Sequence, residues 1–201
     1  MDYKYYKISS IFVEMRIVYF LFYFFISICL TNTVSRAQSN GIFKTKKAVV
    51  SFHSEAPKEL ITATSKSLKG LVDFNKGTFI FKVKMNTFEG FNNELQREHF
   101  NENYIESNLY PEATFTGKII ETIDINKAQI VKVRSKGKFS LHGLSKEYTI
   151  TVTLKIESQK IDVSSEFFIS LQDFNIKIPK VVYNKLASKI SISLNAQLEA
   201  L

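Results

Sequence analysis

The chain has 201 residues, carrying 27 Lys and Arg against 19 Asp and Glu, for a net charge of +8 at neutral pH. A single cysteine, Cys29, excludes a disulfide framework and leaves the apolar core to hold the fold. The basic residues are scattered singly along the sequence, without the stripe that a nucleic-acid-binding surface needs.

The first element is a run of fourteen residues, Ile17 to Leu30, apolar but for Ser27 and without a charge. A membrane-spanning helix needs about 20 apolar residues, so the run suits the apolar region of a secretory signal instead. Arg16 precedes it, and Ser35 and Ala37 stand at −3 and −1 of a cut before Gln38. The predicted organisation is a cleaved signal peptide over residues 1–37 and one domain over 38–201, with Met1 and Met15 both open as the start. Losing four basic and two acidic residues with the signal lowers the charge from +8 to +6. The expected product is periplasmic or secreted, basic and without cysteine, with transient contact to anionic headgroups at a membrane surface as an expectation.

Within residues 38–201 the recurring signal is alternation with period two, the mark of half-buried strands. Ala48–His53 and Leu60–Thr64 read as short strands. In "GTFIFKVKMNTF", Phe79, Phe81, Val83 and Met85 share one face, opposite Lys82 and Lys84. The pattern then breaks. The stretch from Leu95 reads as a helical insert near residues 92–106, followed by a turn over Asn108–Pro111 and a strand over Ala113–Ile120. "QIVKVRSKGKFSLHG" resumes the alternation with Val131, Val133, Phe139 and Leu141 on one side. "YTITVTLKI" places Tyr148, Ile150, Val152, Leu154 and Ile156 opposite Thr149, Thr151, Thr153 and Lys155. "KIDVSSEFFIS" follows with Ile161, Val163, Phe167 and Ile169, and "KISISLNAQL" closes with Ile190, Ile192, Leu194 and Ala196.

About eight strands joined by short polar links, with no helix between them long enough for a parallel crossover, predict an all-β antiparallel structure. Closure into a barrel would remove its exposed edges. An outer-membrane barrel would turn its apolar face outward and carry aromatic girdles. Residues 38–201 hold no Trp, only four Tyr and no terminal aromatic, so a soluble barrel is expected.

The three histidines, His53, His99 and His142, are far apart, and no cysteine remains to join them, so neither a metal site nor a cofactor is expected. No nucleophile-elbow, Walker-type or dinucleotide-glycine pattern is present, and Glu98–His99 is an ordinary neighbour pair; an enzyme is not expected. Thirteen phenylalanines, however, lie beyond residue 37. An eight-stranded barrel is either filled by such side chains or holds one apolar ligand among them, and spacing alone leaves both open.

One ordered set of motifs narrows the choice. Gly77-Thr78-Phe79 is followed by Arg97-Glu98-His99-Phe100, by Tyr110-Pro111 and by Thr114-Phe115-Thr116-Gly117. Then come "GKFSLHGLSKEYTITV", with Gly137, Leu141, Gly143, Ser145 and Lys146, and "LQDFNIKIP", with Asp173, Phe174 and Ile176. In this order, across essentially all of residues 38–201, they resemble the YceI-like family of exported lipid-binding proteins. Two stretches depart from the family pattern: "VVSFHSEAPKELITATS", and "REHFNENY", which is longer than the usual loop.

The resemblance implies a lipocalin-like antiparallel barrel, usually periplasmic, that binds a long isoprenoid chain such as a polyprenyl phosphate or a quinone tail. The lumen residues it points to are Phe79, Phe81, Val83, Met85, Phe88, Phe115, Phe139, Ile150, Val152, Phe167 and Phe174. Arg97, His99 and Asn101 are the candidates for polar contacts at the mouth. The rival expectation is a filled barrel, without ligand, acting in stress response or protein interaction. The sequence leaves open the ligand's headgroup, the pathway and the oligomeric state.

Overall fold

Alternating apolar and Lys/Thr/Ser residues form strands because one pleated face can be buried while the other stays in water. In the computed structural model, which describes residues 41–157 and 160–201, they do so as nine strands. These are β1 (Ile42–Ala56), β2 (Glu59–Ser65), β3 (Lys69–Asp73), β4 (Thr78–Lys84), β5 (Glu112–Ile119), β6 (Gln129–Leu141), β7 (Leu144–Ile156), β8 (Lys160–Ser170) and β9 (Lys189–Ala200). The signal expected over residues 1–37 lies outside the described residues.

All neighbouring strands are antiparallel, and β9 returns to pair with β1 from Phe43 to His53, closing the sheet. β2 and β3 act as one interrupted strand. Both pair with β1 in a single register, with Ser65 opposite Val50 and Asp73 opposite Ile42, eight positions further along each chain. The result is an eight-stranded closed antiparallel barrel. Lysines and threonines occupy its outside and apolar residues its inside, the reverse of a membrane-spanning barrel. Among the described residues no helix is long and apolar enough to cross a membrane.

The glycine pair Gly117 and Gly137, opposite each other on β5 and β6, marks a close approach of the two backbones. A Cβ on either would overlap the partner strand's backbone, so only glycine allows this approach.

The two ends of the barrel differ. One has the short β3–β4 and β7–β8 turns and the loop after β5. At the β7–β8 turn Glu157 accepts from Lys155 and Lys160, each at 2.9 Å, and these hydrogen bonds hold its carboxyl down to about 2. The other end carries the β1–β2 hairpin, the connection from Met85 to Pro111 and the connection from Leu171 to Ser188. Helix α1 (Glu94–His99) lies in the first connection and runs on as a π-helical turn, Phe100–Tyr104. Asn93 caps it, its side chain accepting from the Gln96 amide at 2.9 Å.

His142 fastens this elaborate end. Its Nδ1 donates to the Phe174 carbonyl at 2.9 Å, and its Nε2 lies 2.6 Å from the Glu106 carboxylate. The Tyr110 ring meets it edge-on at 4.7 Å.

Candidate functional site

A packed core would bury every inward residue equally. Here six inward residues at mid-barrel, Phe81, Phe115, Phe139, Val152, Phe167 and Ile192, stay half-buried, whereas Ile156 and Ile161 nearer the plain end are closed off. The space they leave is a cavity of about 460 Å³ running through the lumen. A dry apolar cavity of about 150 Å³ already accommodates benzene, so this one is a compartment and not a packing flaw.

Two aromatic groups shape the cavity. At the elaborate end Phe52, Phe88, Phe91 and Phe100 pack with ring centroids 5.1–5.8 Å apart, and they seat α1 on the rim. Along the wall, Phe79 meets Phe115 at 4.9 Å, Phe115 meets Phe139 at 6.3 Å, and Phe139 meets Phe167 at 6.1 Å. Phe81 completes this wall by lying over Gly70 on β3, where any side chain would collide with its ring.

The expected lumen residues Phe79, Phe81, Val83, Met85, Phe88, Phe115, Phe139, Ile150, Val152 and Phe167 all line the cavity. Phe174 does not. It is fully buried beside Phe139 and Tyr148, at 5.6 and 6.2 Å, as part of the packing behind the cavity wall.

Of the three expected mouth residues, only His99 reaches the cavity. Helical phase explains the split. Gln96, His99, Phe100 and Tyr104 recur at three- and four-residue steps and turn toward the lumen. Arg97 and Asn101, one turn apart, occupy the neighbouring face. Arg97 pairs with Glu94 at 3.8 Å, and the Asn101 side-chain amide donates to the Arg97 carbonyl at 2.9 Å.

The cavity has polar groups that residue type did not suggest. Glu59 on the β1–β2 hairpin and Gln96 on α1 hydrogen-bond across the mouth. Lys185 enters from the Leu171–Ser188 connection. Tyr104 lines the space, and burial raises its phenol above the usual range. Deeper in, Ser135 and Ser165 interrupt the apolar wall, the latter donating to the Thr151 carbonyl at 2.8 Å. Their inward position in the alternation was the available signal. Among the described residues no three His, Cys, Asp or Glu side chains gather as a metal site.

The geometry is therefore that of an apolar container with a polar rim. The fold matches a polyisoprenoid binding domain from Saccharophagus degradans implicated in plant cell wall breakdown. That match has a TM-score of 0.68 and 15% identity, and covers 79% of this chain and 98% of that one. Burkholderia cenocepacia BcnA matches at a TM-score of 0.64 and 18% identity, over 75% of this chain and 95% of that one. A Campylobacter jejuni YCEI protein matches at 0.50 and 18% identity, over 65% and 78%. At these identities the likeness speaks for the fold. No curated protein matches the sequence. The YceI-like domain model, however, matches residues 31–198, and with that span the chain belongs to the YceI-like family.

Proposed function

We propose that this protein is a non-enzymatic lipid carrier, store or sensor that holds a long isoprenoid chain in its barrel lumen. The observation that carries the reading is the cavity of about 460 Å³ walled by half-buried phenylalanines. A filled barrel would not leave such a space. Each methylene taken from water contributes about 0.8 kcal/mol. Ten would contribute roughly 8 kcal/mol, gross of the ordering costs of binding. An apolar tail can thus be held without any specific polar contact, and the polar end of the ligand meets His99, Tyr104 and Lys185 at the rim.

The polyisoprenoid binding named for the Saccharophagus degradans domain supports a tail of that class. Residues 1–37 export the protein to the periplasm or beyond, with cleavage after Ala37. Mass spectrometry of organic extracts from natively purified protein should find an isoprenoid lipid, and stripped protein should take up a polyprenyl phosphate or a quinone from detergent. Protein that carries no lipid and takes up neither would overturn the reading.

A further inference from the structure

We propose that the segment from Lys177 to Lys189 docks the cavity mouth onto an anionic lipid bilayer, so that ligand passes between membrane and lumen without crossing water. The proposal rests on the reading of the cavity as a lipid site. Between Asp173 and Glu199 every charged residue is a lysine: Lys177, Lys180, Lys185 and Lys189. All four are exposed. The same segment has two apolar aspects. Val182, Lys185 and Leu186 line the cavity, while Val181 and Tyr183, 89% and 58% exposed, turn away from it.

A single exposed apolar side chain on a surface is ordinary and carries no message. Here the exposed apolar residues come from all three elements that frame the mouth. Leu60 on the β1–β2 hairpin is 56% exposed and Leu95 on α1 is 58% exposed. These elements are tied together. The Lys58 amide donates to the Asn184 carbonyl at 2.8 Å, and the Asn92 side chain donates to the Leu60 carbonyl at 3.0 Å. The Ala187 amide donates to the buried Ser54 hydroxyl at 2.9 Å, which fixes the lysine-bearing segment to β1. Exposed apolar residues around the mouth, with Lys180 and Lys185 beside Val181 and Tyr183, match a bilayer surface, where side chains enter the acyl boundary while cations meet anionic headgroups.

Charge also sets the approach. Glu94 and Glu98 on α1 and Glu102 on the π-helical turn after it are exposed, so the lysine lip leads and the helix lip, with Leu95, sits further from the headgroups. A protein partner would equally cover Val181 and Tyr183. It would not account for the opposite side of the same turn lining the cavity.

The test uses protein beginning at Gln38, sedimented with phosphatidylcholine vesicles with and without phosphatidylglycerol. Binding is expected only with phosphatidylglycerol and should weaken as salt rises. The pairs Val181→Asp with Tyr183→Asp, and Lys177→Glu with Lys180→Glu, should each lower vesicle binding about tenfold or more. Neither pair lines the cavity, so uptake of a quinone from detergent should be unchanged in both. Wild-type protein that ignores anionic vesicles, or variants that bind them as well as wild type, would overturn the docking surface. Protein that takes up neither quinone nor polyprenyl phosphate from detergent while still binding anionic vesicles would instead overturn the cavity reading and leave the docking surface standing.

Discussion

Phe139 touches Phe115, Tyr148, Phe167 and Phe174 at centroid distances of 5.6–6.3 Å, yet part of its surface remains open to the lumen. In a filled core, Phe139→Trp would overpack and cost typically about 1–3 kcal/mol. Here the larger ring has free space to enter. Thermal melting of the variant should therefore match or exceed that of stripped wild-type protein, while the lipid recovered by extraction falls. A large loss of stability would mean that the lumen is filled in solution. The lumen side of such residues was legible because strand alternation separates Phe79, Phe81 and Phe139 from their lysine neighbours. The mouth was less legible. Arg97 and Asn101 were chosen for their chemistry, but in a helix the phase decides, and it selects Gln96, His99 and Tyr104. Lys185 lies in a stretch with no period at all, so nothing in the sequence aimed it at the cavity.

At the scale of elements, the close β5–β6 approach depends on two residues with no side chain. Gly137→Ala would push a methyl group into the backbone of β5, and the strands would have to separate. A cost of about 1–3 kcal/mol is expected for such overpacking. At about 2–4 °C per kcal/mol for a domain of this size, Tm should fall by several degrees, as read by differential scanning calorimetry. An unchanged Tm would show that the two strands separate easily there. Strand periodicity made most of the wall legible in advance, from Thr78 through β9. It missed β3, whose five residues include Gly70 and offer too short a pattern. It also shortened β1, because Lys44, Lys46 and Lys47 crowd its first half and a bulge between Thr45 and Lys47 shifts the alternation.

For the whole molecule, a ligand that binds only the folded barrel stabilises it by mass action. At a free concentration of 100 times Kd the gain is about 2.7 kcal/mol. For a domain of this size that corresponds to a rise in Tm of roughly 5–11 °C. Loaded and stripped protein compared by thermal melting should show a shift of that order; identical curves would argue that the lipid sits outside the lumen. The barrel as a whole was legible because eight alternating segments without crossover helices allow few other closures. Its hollowness was not, since the same phenylalanine pattern describes a filled core equally well.

The interrupted strand has a further consequence. β3 pairs with β4 along its whole length, but β2 continues toward the mouth without a neighbour on that side except for the two backbone hydrogen bonds between Thr64 and Glu89. Beyond them, the hairpin and α1 are joined by side chains, Gln96 to Glu59 and Asn92 to the Leu60 carbonyl. The wall thus has a slit at its top, closed by buttons and not by weave. A container with a slit gauges the girth of what it holds and not its length. If the proposed lipid occupies the lumen, a thin chain longer than the lumen would trail out between hairpin and helix, whereas a shorter but bulkier molecule would have to break those hydrogen bonds to fit.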